Sequence, residues 1–390
     1  MRRKMQSGKN QMSNLLTKLF YFLTTLLLVA PAHANRAMVF MKDHHSYKTA
    51  KLPVKIQKRL DKLNVFIVET QDEAQLQLLK NLPSVAYVEK EHLRPTAKLE
   101  NLAIDHAEKP WGIDAINATR AWEISGKGHG TRVLVLDTGI DPRHPLLLKN
   151  FEKGRDFSNG SRGTGFFDES GHGTHVAGTI AAAESENGFS GVAPEAKILA
   201  GKVCGEMGCN NIGVVEGINW GVSEKVDVIN LSLGSFDSSP AEQEAILRAD
   251  RAGISVVAAT GNFGVNQVLF PAAYPSVIAV GAVDRYMQLG TFSQYGPETT
   301  LVAPGVEIVS TYSSAQGSSF YETFGTSMAS PHVAGVVALV RSANKNLTPA
   351  EIKALLVKTA KPLTPNIENK FGAGLVNAEA AVAEALRLLK

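Results

Sequence analysis

The chain has 390 residues, of which 44% are hydrophobic, so it can bury one large core and a second, smaller one. Its 40 basic and 37 acidic side chains leave a formal net charge of only +3. This weak charge lacks the strong basic bias that is typical of proteins binding nucleic acid or anionic membranes, and we expect neither partner.

The first 34 residues are typical of a secretory signal peptide. Basic residues precede an apolar stretch of 12 residues, 19–30, and Ala32-His33-Ala34 places small residues at the two positions that a signal peptidase reads. Because this stretch is too short to span a bilayer as a helix, we expect cleavage after Ala34 and no membrane attachment afterwards. The protein is expected to be secreted, either to the extracellular medium or to the periplasm. A retained membrane anchor is the alternative.

Residues 35–105 indicate a small α+β domain ahead of the rest of the chain. The pattern predicts strands at 37–41, 65–68 and 84–88 and helical spacing over 54–63. A capping box of Thr70 and Glu73 predicts a further helix through Leu79. Strands that alternate with helices over so short a length favour an α+β sandwich, and the polar stretch 90–108 is expected to be a linker.

From residue 106 to the end, apolar runs alternate with helical patterns. The pattern predicts strands at 133–136, 197–203, 228–231, 255–259 and 277–280, and helices at 173–183, 212–224, 241–252, 327–343, from 349 onward and at 378–389. This alternation indicates an α/β fold with a parallel sheet flanked by helices on both faces. The carboxyl ends of such strands form the crevice where open α/β sheets place their sites.

Three polar residues stand where that crevice is expected. Asp137 ends a buried strand, although Asp-Thr-Gly is also a common turn. His172 opens a helix, where a satisfied surface or core histidine is the alternative. A zinc site with His175 lacks enough ligands, so no metal site is predicted. Ser327 begins an apolar helix, where free N–H groups and the helix dipole suit a nucleophile, although a simple cap is common.

Together these residues supply the chemistry that acyl-bond hydrolysis requires. A serine attacks, an imidazole takes and returns the proton, and a carboxylate orients the imidazole and stabilises its charged form. Asn262 follows another buried strand, and its amide is expected to complete an oxyanion hole with the backbone N–H of Ser327.

Three motifs resemble the signatures of the subtilisin-like serine proteases. They are Asp-Thr-Gly at 137–139, His-Gly-Thr-His-Val-Ala-Gly at 172–178 and Gly-Thr-Ser-Met-Ala-Ser-Pro-His-Val-Ala-Gly at 325–335. The resemblance runs from about residue 110 to the C-terminus. It implies a serine endopeptidase that acts through an acyl-enzyme and needs no cofactor for catalysis. The alternative is a catalytically silent binding protein on the same fold, against which the intact motifs argue.

The resemblance also implies a role for each matching residue. Asp137 orients the imidazole, His172 is the general base and acid, Ser327 is the nucleophile and Asn262 stabilises the oxyanion. His175 is expected to be structural. The segments that bind the substrate backbone and form the wall of the main pocket are expected to be Ser232, Leu233 and Gly234, and Ala259, Thr260 and Gly261.

The loop after Asn262 bears on specificity. It carries five apolar side chains: Phe263, Val265, Val268, Leu269 and Phe270. They predict an apolar pocket, partly filled by Leu269, that prefers an uncharged residue before the cut bond. The alternative is that these side chains simply belong to the core.

Residues 35–105 resemble the inhibitory propeptide of the same family, with 82–89 as the closest match. The resemblance implies a folding helper that occupies the active site until it is cut away, so the propeptide would be an intramolecular inhibitor. A template of this kind helps because a large parallel sheet folds slowly. Cleavage is expected between Ala97 and Asp105, and an accessory domain that stays attached is the alternative. We expect a monomer that acts on protein or peptide substrates.

Cys204 and Cys209 are the only cysteines in the sequence. Because an exported chain meets an oxidising compartment, we expect a short local disulfide between them. Two free thiols, or half of a metal site, are the alternatives.

Relatives often bind structural calcium through the loop after the histidine helix, here residues 183–190. However, Leu146 and Ala107 stand where oxygen ligands would be expected. Calcium prefers six to eight oxygen ligands, several of them charged. The sequence therefore does not predict a calcium ion at this loop.

Overall fold

The computed structural model describes residues 35–94, 102–104, 108–158, 165–205, 208–313 and 319–389. The predicted signal peptide lies outside these residues, as does most of the predicted cleavage region. Within the described residues, none of the helices has the length and apolar character needed to cross a membrane. The chain divides into two compact units between Lys90 and Glu91. The predicted domain boundary at residue 105 refers to a processing bond and stays a prediction.

Over its described residues, 35–90, the first unit is a four-stranded antiparallel sheet with two α-helices, which is the α+β character that the sequence predicted. Its elements are β1 (Asn35–Met41), α1 (His44–Thr49), β2 (Lys55–Leu60), β3 (Val65–Thr70), α2 (Glu73–Lys80) and β4 (Val85–Lys90). The strands lie in the order β2-β3-β1-β4. Val39, Phe66 and Leu76 contribute to a hydrophobic core of its own.

Two details of this unit differ from the prediction. The segment predicted as helical over 54–63 contains strand β2, and its register with β3 shifts between Ile56 and Lys58. The shift interrupts the strict alternation by which a strand is recognised in sequence. The cap of α2 is Asp72 rather than Thr70, because the Asp72 carboxylate accepts from the backbone N–H of Gln75 at 2.8 Å.

The second unit contains the remaining elements. Its first half comprises β5 (Leu93–Arg94), β6 (Leu102–Ile104), α3 (Trp111–Ala115), α4 (Ala118–Ser125), β7 (Arg132–Asp137), α5 (Pro145–Leu148), β8 (Phe151–Asp156), α6 (His172–Ala181), β9 (Lys197–Lys202), β10 (Cys204–Gly205), β11 (Gly208–Asn210) and α7 (Asn211–Glu224). Its second half comprises β12 (Val228–Leu231), α8 (Pro240–Arg251), β13 (Ser255–Ala259), β14 (Ile278–Val283), β15 (Leu301–Pro304), β16 (Ile308–Tyr312), β17 (Ser319–Thr323), α9 (Thr326–Ala343), α10 (Pro349–Thr359) and α11 (Ala378–Arg387).

A seven-stranded parallel sheet forms the centre of this unit, with the order β15-β14-β13-β12-β7-β9-β8. Two small sheets, β10-β11-β5 and β16-β17-β6, complete it. The predicted strands and helices of this region are all present, with ends shifted by a few residues.

Strand β7 shows that helices cover both faces of the large sheet. Val133 and Val135 belong to one buried cluster with side chains of α6 and α9. Leu134 and Leu136 point to the opposite face, where they meet helix α7. The packing there is so close that a Cβ added at Gly217 would lie 2.6 Å from the Leu136 side chain. The predicted α/β fold is therefore confirmed.

Candidate active site

The neighbouring strands β7, β12 and β13 end at the same edge of the sheet. Leu231 is in register with Leu136 on one side and with Ala258 on the other. Asp137, which ends β7, and Ser232, which follows β12, therefore reach the carboxyl edge together. This is the crevice in which parallel sheets place their sites.

His172, the first residue of α6, faces Asp137 at this edge. Its Nδ1 lies 2.7 Å from Oδ1 of Asp137, and the same oxygen accepts from the backbone N–H of Thr138 at 2.7 Å. Because a carboxylate only accepts, Nδ1 carries the hydrogen and Nε2 is left with its lone pair. The buried imidazole is thereby held in the tautomer that can act as a base at Nε2.

The charges around His172 set its basicity. Burial lowers the pKa of the imidazole, but the negative charge of Asp137, its hydrogen bond and the negative charge of Asp168 outweigh that effect. The net pKa of His172 is raised above its ordinary value of 6.5. The site therefore favours the imidazolium form that a proton transfer would create.

Asp168 is a site residue that the sequence analysis missed. Its Oδ1 accepts from the backbone N–H groups of Ser170 and Gly171 at 3.0 and 2.8 Å, and its Oδ2 accepts from the N–H of Thr174 at 2.8 Å. Burial raises its pKa, and the donated hydrogen bonds oppose that shift. An aspartate just before a helix start is a capping signal, and that signal could have identified it.

Asp168 also connects the segments that carry Asp137 and His172. The hydroxyl of Thr138, directly after Asp137, donates to Asp168 at 2.8 Å and accepts from the backbone N–H of Gly173 at 2.9 Å. The end of β7 and the start of α6 are therefore fixed to each other beside the imidazole.

Ser327 lies in the first turn of α9 and lines the same cavity as His172 and Asp137. Its Oγ donates to the carbonyl oxygen of Ser232 at 3.2 Å, and Ser232 Oγ donates to the Ser327 carbonyl at 2.9 Å. The second bond has a local cause, because Pro331 lacks the N–H that would normally bond to that carbonyl within the helix. This pair ties the start of α9 to the end of β12.

Asn262 lies beside the start of the same helix. Its Oδ1 accepts from the backbone N–H and the hydroxyl of Thr326 at 2.9 and 2.8 Å, so its Nδ2 points the other way. A Cβ built on Gly325 would lie 3.3 Å from Asn262 Nδ2 and 3.6 Å from Ser327 N. The side-chain amide nitrogen of Asn262 and the backbone nitrogen of Ser327 therefore lie close to one another beside Gly325, where an added Cβ would contact both.

A cavity of about 160 Å³ opens in front of these groups. It is lined by Asp137, His172, Cys204, Cys209, Ser232, Leu233, Gly234, Ala259, Gly261, Asn262, Phe263, Leu269, Thr326 and Ser327. The structure thus brings together the four residues predicted to act in catalysis and five of the six predicted to bind substrate.

Thr260 is the exception among the predicted substrate residues. It is fully buried behind the wall, and its hydroxyl donates to the carbonyl of Gln294 at 2.8 Å. It therefore supports the wall between Ala259 and Gly261 instead of lining the cavity.

Residues 128–374 match the Subtilase family. The chain belongs to this family. It is 42% identical over 300 residues to M-protease from Shouchella clausii, which covers 77% of this chain and 74% of that protein. It is 44% identical over 273 residues to subtilisin Savinase from Lederbergia lenta (70% of this chain, 98% of that protein). Subtilisin NAT from Bacillus subtilis subsp. natto is 40% identical over 333 residues, 84% of this chain and 83% of that protein.

Membership of the family makes the chain a serine endopeptidase of the subtilisin type, as its motifs predicted. Within this subtilase, the loop after Asn262 divides between pocket and core. Leu269 is buried and lines the cavity, where it lies against Gly234 and Gly261. Val268 is buried as core, whereas Phe263 is 60% exposed at the cavity rim.

Cys204 and Cys209 form a disulfide in this subtilase. They face each other across the hairpin of β10 and β11, and both line the cavity. The pairing was predictable from the sequence, but its position beside the cavity was not, because that position depends on the tertiary fold.

Two further histidines of the subtilase are buried away from the reacting groups. Nε2 of His175 lies 3.1 Å from the carbonyl oxygens of both Ile308 and Tyr321, and burial lowers its pKa to about 3. Nδ1 of His332 lies 2.8 Å from the Met328 carbonyl, and burial lowers its pKa to about 4. Both are neutral donors, but only His175 joins separate backbone segments, β16 and β17, whereas His332 bonds within its own helix.

The described residues contain no group of three or more histidine, cysteine, aspartate or glutamate side chains arranged to hold a metal ion. In the loop after α6, the Glu184 carboxylate pairs with Lys127, and Leu146 packs against the buried cluster of Phe189. Ala107 lies outside the described residues. The absence of a calcium ion from this loop stays a prediction.

Proposed function

We propose that this subtilase is a secreted, self-processing endopeptidase that uses Ser327, His172 and Asp137 as its catalytic triad. The observation that carries the proposal is the 2.7 Å contact between His172 and Asp137, next to a cavity that Ser327 also lines. Distant parts of the chain supply to one cavity the three groups that acyl transfer requires, which are a hydroxyl, an imidazole and a carboxylate.

In the first half of the reaction, Ser327 Oγ attacks the carbonyl carbon of the scissile peptide bond. The hydroxyl turns from the Ser232 carbonyl towards Nε2 of His172, which takes its proton, and Asp137 stabilises the resulting imidazolium. The oxyanion accepts from Ser327 N–H and Asn262 Nδ2. His172 then passes the proton to the leaving nitrogen, the C–N bond breaks and an ester to Ser327 remains.

In the second half, a water molecule replaces the departed amine. His172 takes a proton from the water as the oxygen attacks the ester carbonyl, and the same two donors bind the new oxyanion. His172 then returns a proton to Ser327 Oγ as the C–O bond breaks. The acid product leaves, and the enzyme regains its starting state.

The primary pocket should take an uncharged side chain. Its lining includes Leu233, Ala259 and Leu269, and Leu269 fills the space next to Gly234 and Gly261. A charged side chain would lose its hydration there without finding a partner among these groups. A peptide library that showed a strong preference for lysine or arginine directly before the cut bond would contradict this assignment.

The zymogen part of the proposal rests on the N-terminal segments. Residues 1–34 carry the features of a secretory signal, and residues 35–90 form a separate compact unit. We propose that this unit is the inhibitory propeptide and that the protease cuts it away itself, between Ala97 and Asp105. The mature enzyme would then be a monomer that acts on proteins and peptides.

Labelling with a fluorophosphonate tests the triad directly. Wild-type protein should gain one covalent adduct on Ser327, located by mass spectrometry of the digested chain, and it should hydrolyse casein. The Ser327→Ala variant should do neither. The matched control is Ser342→Ala, on the same helix, because the Ser342 hydroxyl donates to the backbone carbonyl of His129. This variant should still be labelled on Ser327 and should still hydrolyse casein. Casein hydrolysis by a folded Ser327→Ala variant would contradict the proposal.

A further inference from the structure

A buried ion pair lies beside the catalytic cavity within the second unit. The guanidinium of Arg94 donates to both carboxylate oxygens of Glu242, at 2.7 and 3.1 Å. The Arg94 side chain is 1% exposed and that of Glu242 is 0% exposed. Two parallel charge-assisted hydrogen bonds in a dry setting form a specific receptor for a guanidinium group.

The two partners differ in how they are attached to the enzyme. Glu242 lies in the first turn of α8, where the positive end of the helix dipole stabilises a carboxylate, and its backbone N–H donates to Ser239 Oγ at 3.1 Å. It is part of the folded protease. Arg94, in contrast, lies on the two-residue edge strand β5, ahead of the proposed cleavage region.

The edge strand is held in the manner of a bound peptide. Leu93 and Arg94 pair antiparallel with Asn210 and Cys209 of β11, and Cys209 lines the catalytic cavity. One residue earlier, the backbone N–H of His92 donates to Asn211 Oδ1 at 3.0 Å. Backbone pairing gives affinity, and a pocket beside it selects the side chain, as in other complexes where a peptide adds a strand to a sheet.

We propose that Glu242 is a specificity-determining residue that binds an arginine side chain of the substrate, several residues before the cut bond. The inference rests on the proposed function, since it requires that the segment carrying Arg94 be cut away. When that segment leaves, a carboxylate buried in the protease loses its guanidinium partner, which is costly. A substrate that supplies another guanidinium restores both hydrogen bonds, whereas a neutral side chain restores neither charge nor geometry.

The distance of Arg94 from the processing bond along the chain determines how far before the cut bond the substrate arginine should lie. If cleavage follows Ala97, Arg94 is the fourth residue before the bond, and each later bond in the proposed region moves it one place further away. An extended strand advances about 3.3 Å per residue, so this subsite is separate from the apolar pocket directly before the bond. The enzyme would therefore combine an uncharged residue at the bond with an arginine upstream.

The test uses mature enzyme obtained from the self-processed full chain. Internally quenched peptides share a leucine before the bond and carry one arginine either at the position that the measured mature N-terminus assigns to Arg94 or one place to either side of it. Each is matched by a peptide with citrulline, which is neutral but has nearly the same shape. At one position arginine should raise kcat/KM by about 10- to 100-fold over citrulline, which is the range expected for hydrogen bonds between charged groups.

Two single variants locate the effect. In Glu242→Gln the ratio of arginine to citrulline rates should fall to about one. In Glu244→Gln, which removes an exposed carboxylate from the same helix, the ratio should match that of the wild type. The double variant Arg94→Met with Glu242→Leu replaces the ion pair by an apolar pair, so folding and processing do not depend on a lone buried charge. Its mature form should favour norleucine over arginine at the same position.

Three results would overturn the inference. A ratio near one at every position in the wild type would show that no such subsite exists. A mature N-terminus before Arg94 would show that the pair is a permanent part of the protease. If Glu242→Gln kept the same arginine-to-citrulline ratio of kcat/KM as the wild type, the preference would belong to another residue. Cleavage of the citrulline peptides by the wild type separates these outcomes from a failure of the proposed protease function, in which no peptide would be cut.

Discussion

Replacing the buried His332 should make the protein less sensitive to acid. His332 is fully buried and its pKa is lowered to about 4, whereas in the unfolded chain it titrates near 6.5. The native state therefore keeps it neutral below pH 6.5, while the unfolded chain takes up a proton. Each such histidine contributes stability that is complete above pH 6.5 and is lost as the pH falls towards 4.

The size of this effect follows from proton linkage. One pKa unit corresponds to about 1.4 kcal/mol, and at pH 6 the unfolded histidine is already partly protonated. Between pH 6 and pH 5, His332 should therefore account for a loss of about 1.2 kcal/mol in the free energy of unfolding. His175, with a pKa of about 3, contributes a similar loss, and burial lowers the pKa of His144 as well.

Other groups in the site act with the opposite sign or in another range. The raised pKa of His172 gives stability that is complete below pH 6.5 and lost above it, so it is constant in this window. Asp168, whose pKa burial raises, gives stability that is lost as the pH rises. The comparison of His332→Asn with its parent cancels both contributions, because they are common to the two proteins.

Urea unfolding at pH 6.0 and pH 5.0 measures the effect, with Ser327→Ala as the parent so that self-digestion does not interfere. The loss of stability on acidification should be about 1.2 kcal/mol smaller in His332→Asn than in the parent. Ser342→Ala, which changes a side chain of the same helix without removing a titratable group, should leave the loss unaltered. Equal losses in all three proteins would refute the claim that His332 is held neutral in the core.

Further predictions concern the site itself. Asn262→Ala should lower kcat by about 10- to 100-fold, with little change in KM, since it removes one hydrogen bond to a charged oxygen; an unchanged kcat in a folded variant would exclude Asn262 from the mechanism. Asp168→Asn should move the acid limb of the pH–rate profile to lower pH, because the pKa of His172 falls when the negative charge is lost, and an unmoved limb contradicts that coupling. Replacing both Cys204 and Cys209 by serine should lower the free energy of unfolding by no more than about 2 kcal/mol, because the closed loop is short. The same change should raise KM, because the cavity wall loosens. A larger loss of stability would show that the disulfide holds the fold. We also propose that chelation leaves the melting temperature unchanged, and a marked fall measured by calorimetry would reveal a structural calcium ion.

The fold was predictable where local pattern and long-range structure agree. The apolar run before Asp137 is a central strand buried on both faces, so its sequence pattern does not depend on neighbours. Strand β2 was mistaken for a helix because its register with β3 shifts between Ile56 and Lys58, which only the partner strand determines. Strand β8, with the sequence FEKGRD, has no apolar run to mark it and is fixed by pairing with β9.

The candidate site also contains residues that could be predicted from the sequence and residues that could not. Asp137, His172 and Ser327 could be predicted because each combines a reactive side chain with the end of a strand or the start of a helix. Asp168 was missed because its effect on His172 depends on distances that the sequence does not contain. Glu242 was missed because its partner, Arg94, lies 148 residues away in the chain.

The most direct test of the catalytic triad is the fate of the full-length chain expressed as wild type and as Ser327→Ala. In the wild type, intact-mass analysis should find a mature protein that begins after a bond between Ala97 and Asp105. In the variant, the chain should keep residues 35–105, because the nucleophile that cuts them away is missing. Processing of the Ser327→Ala chain to the same mature mass, with no added protease, would contradict the account.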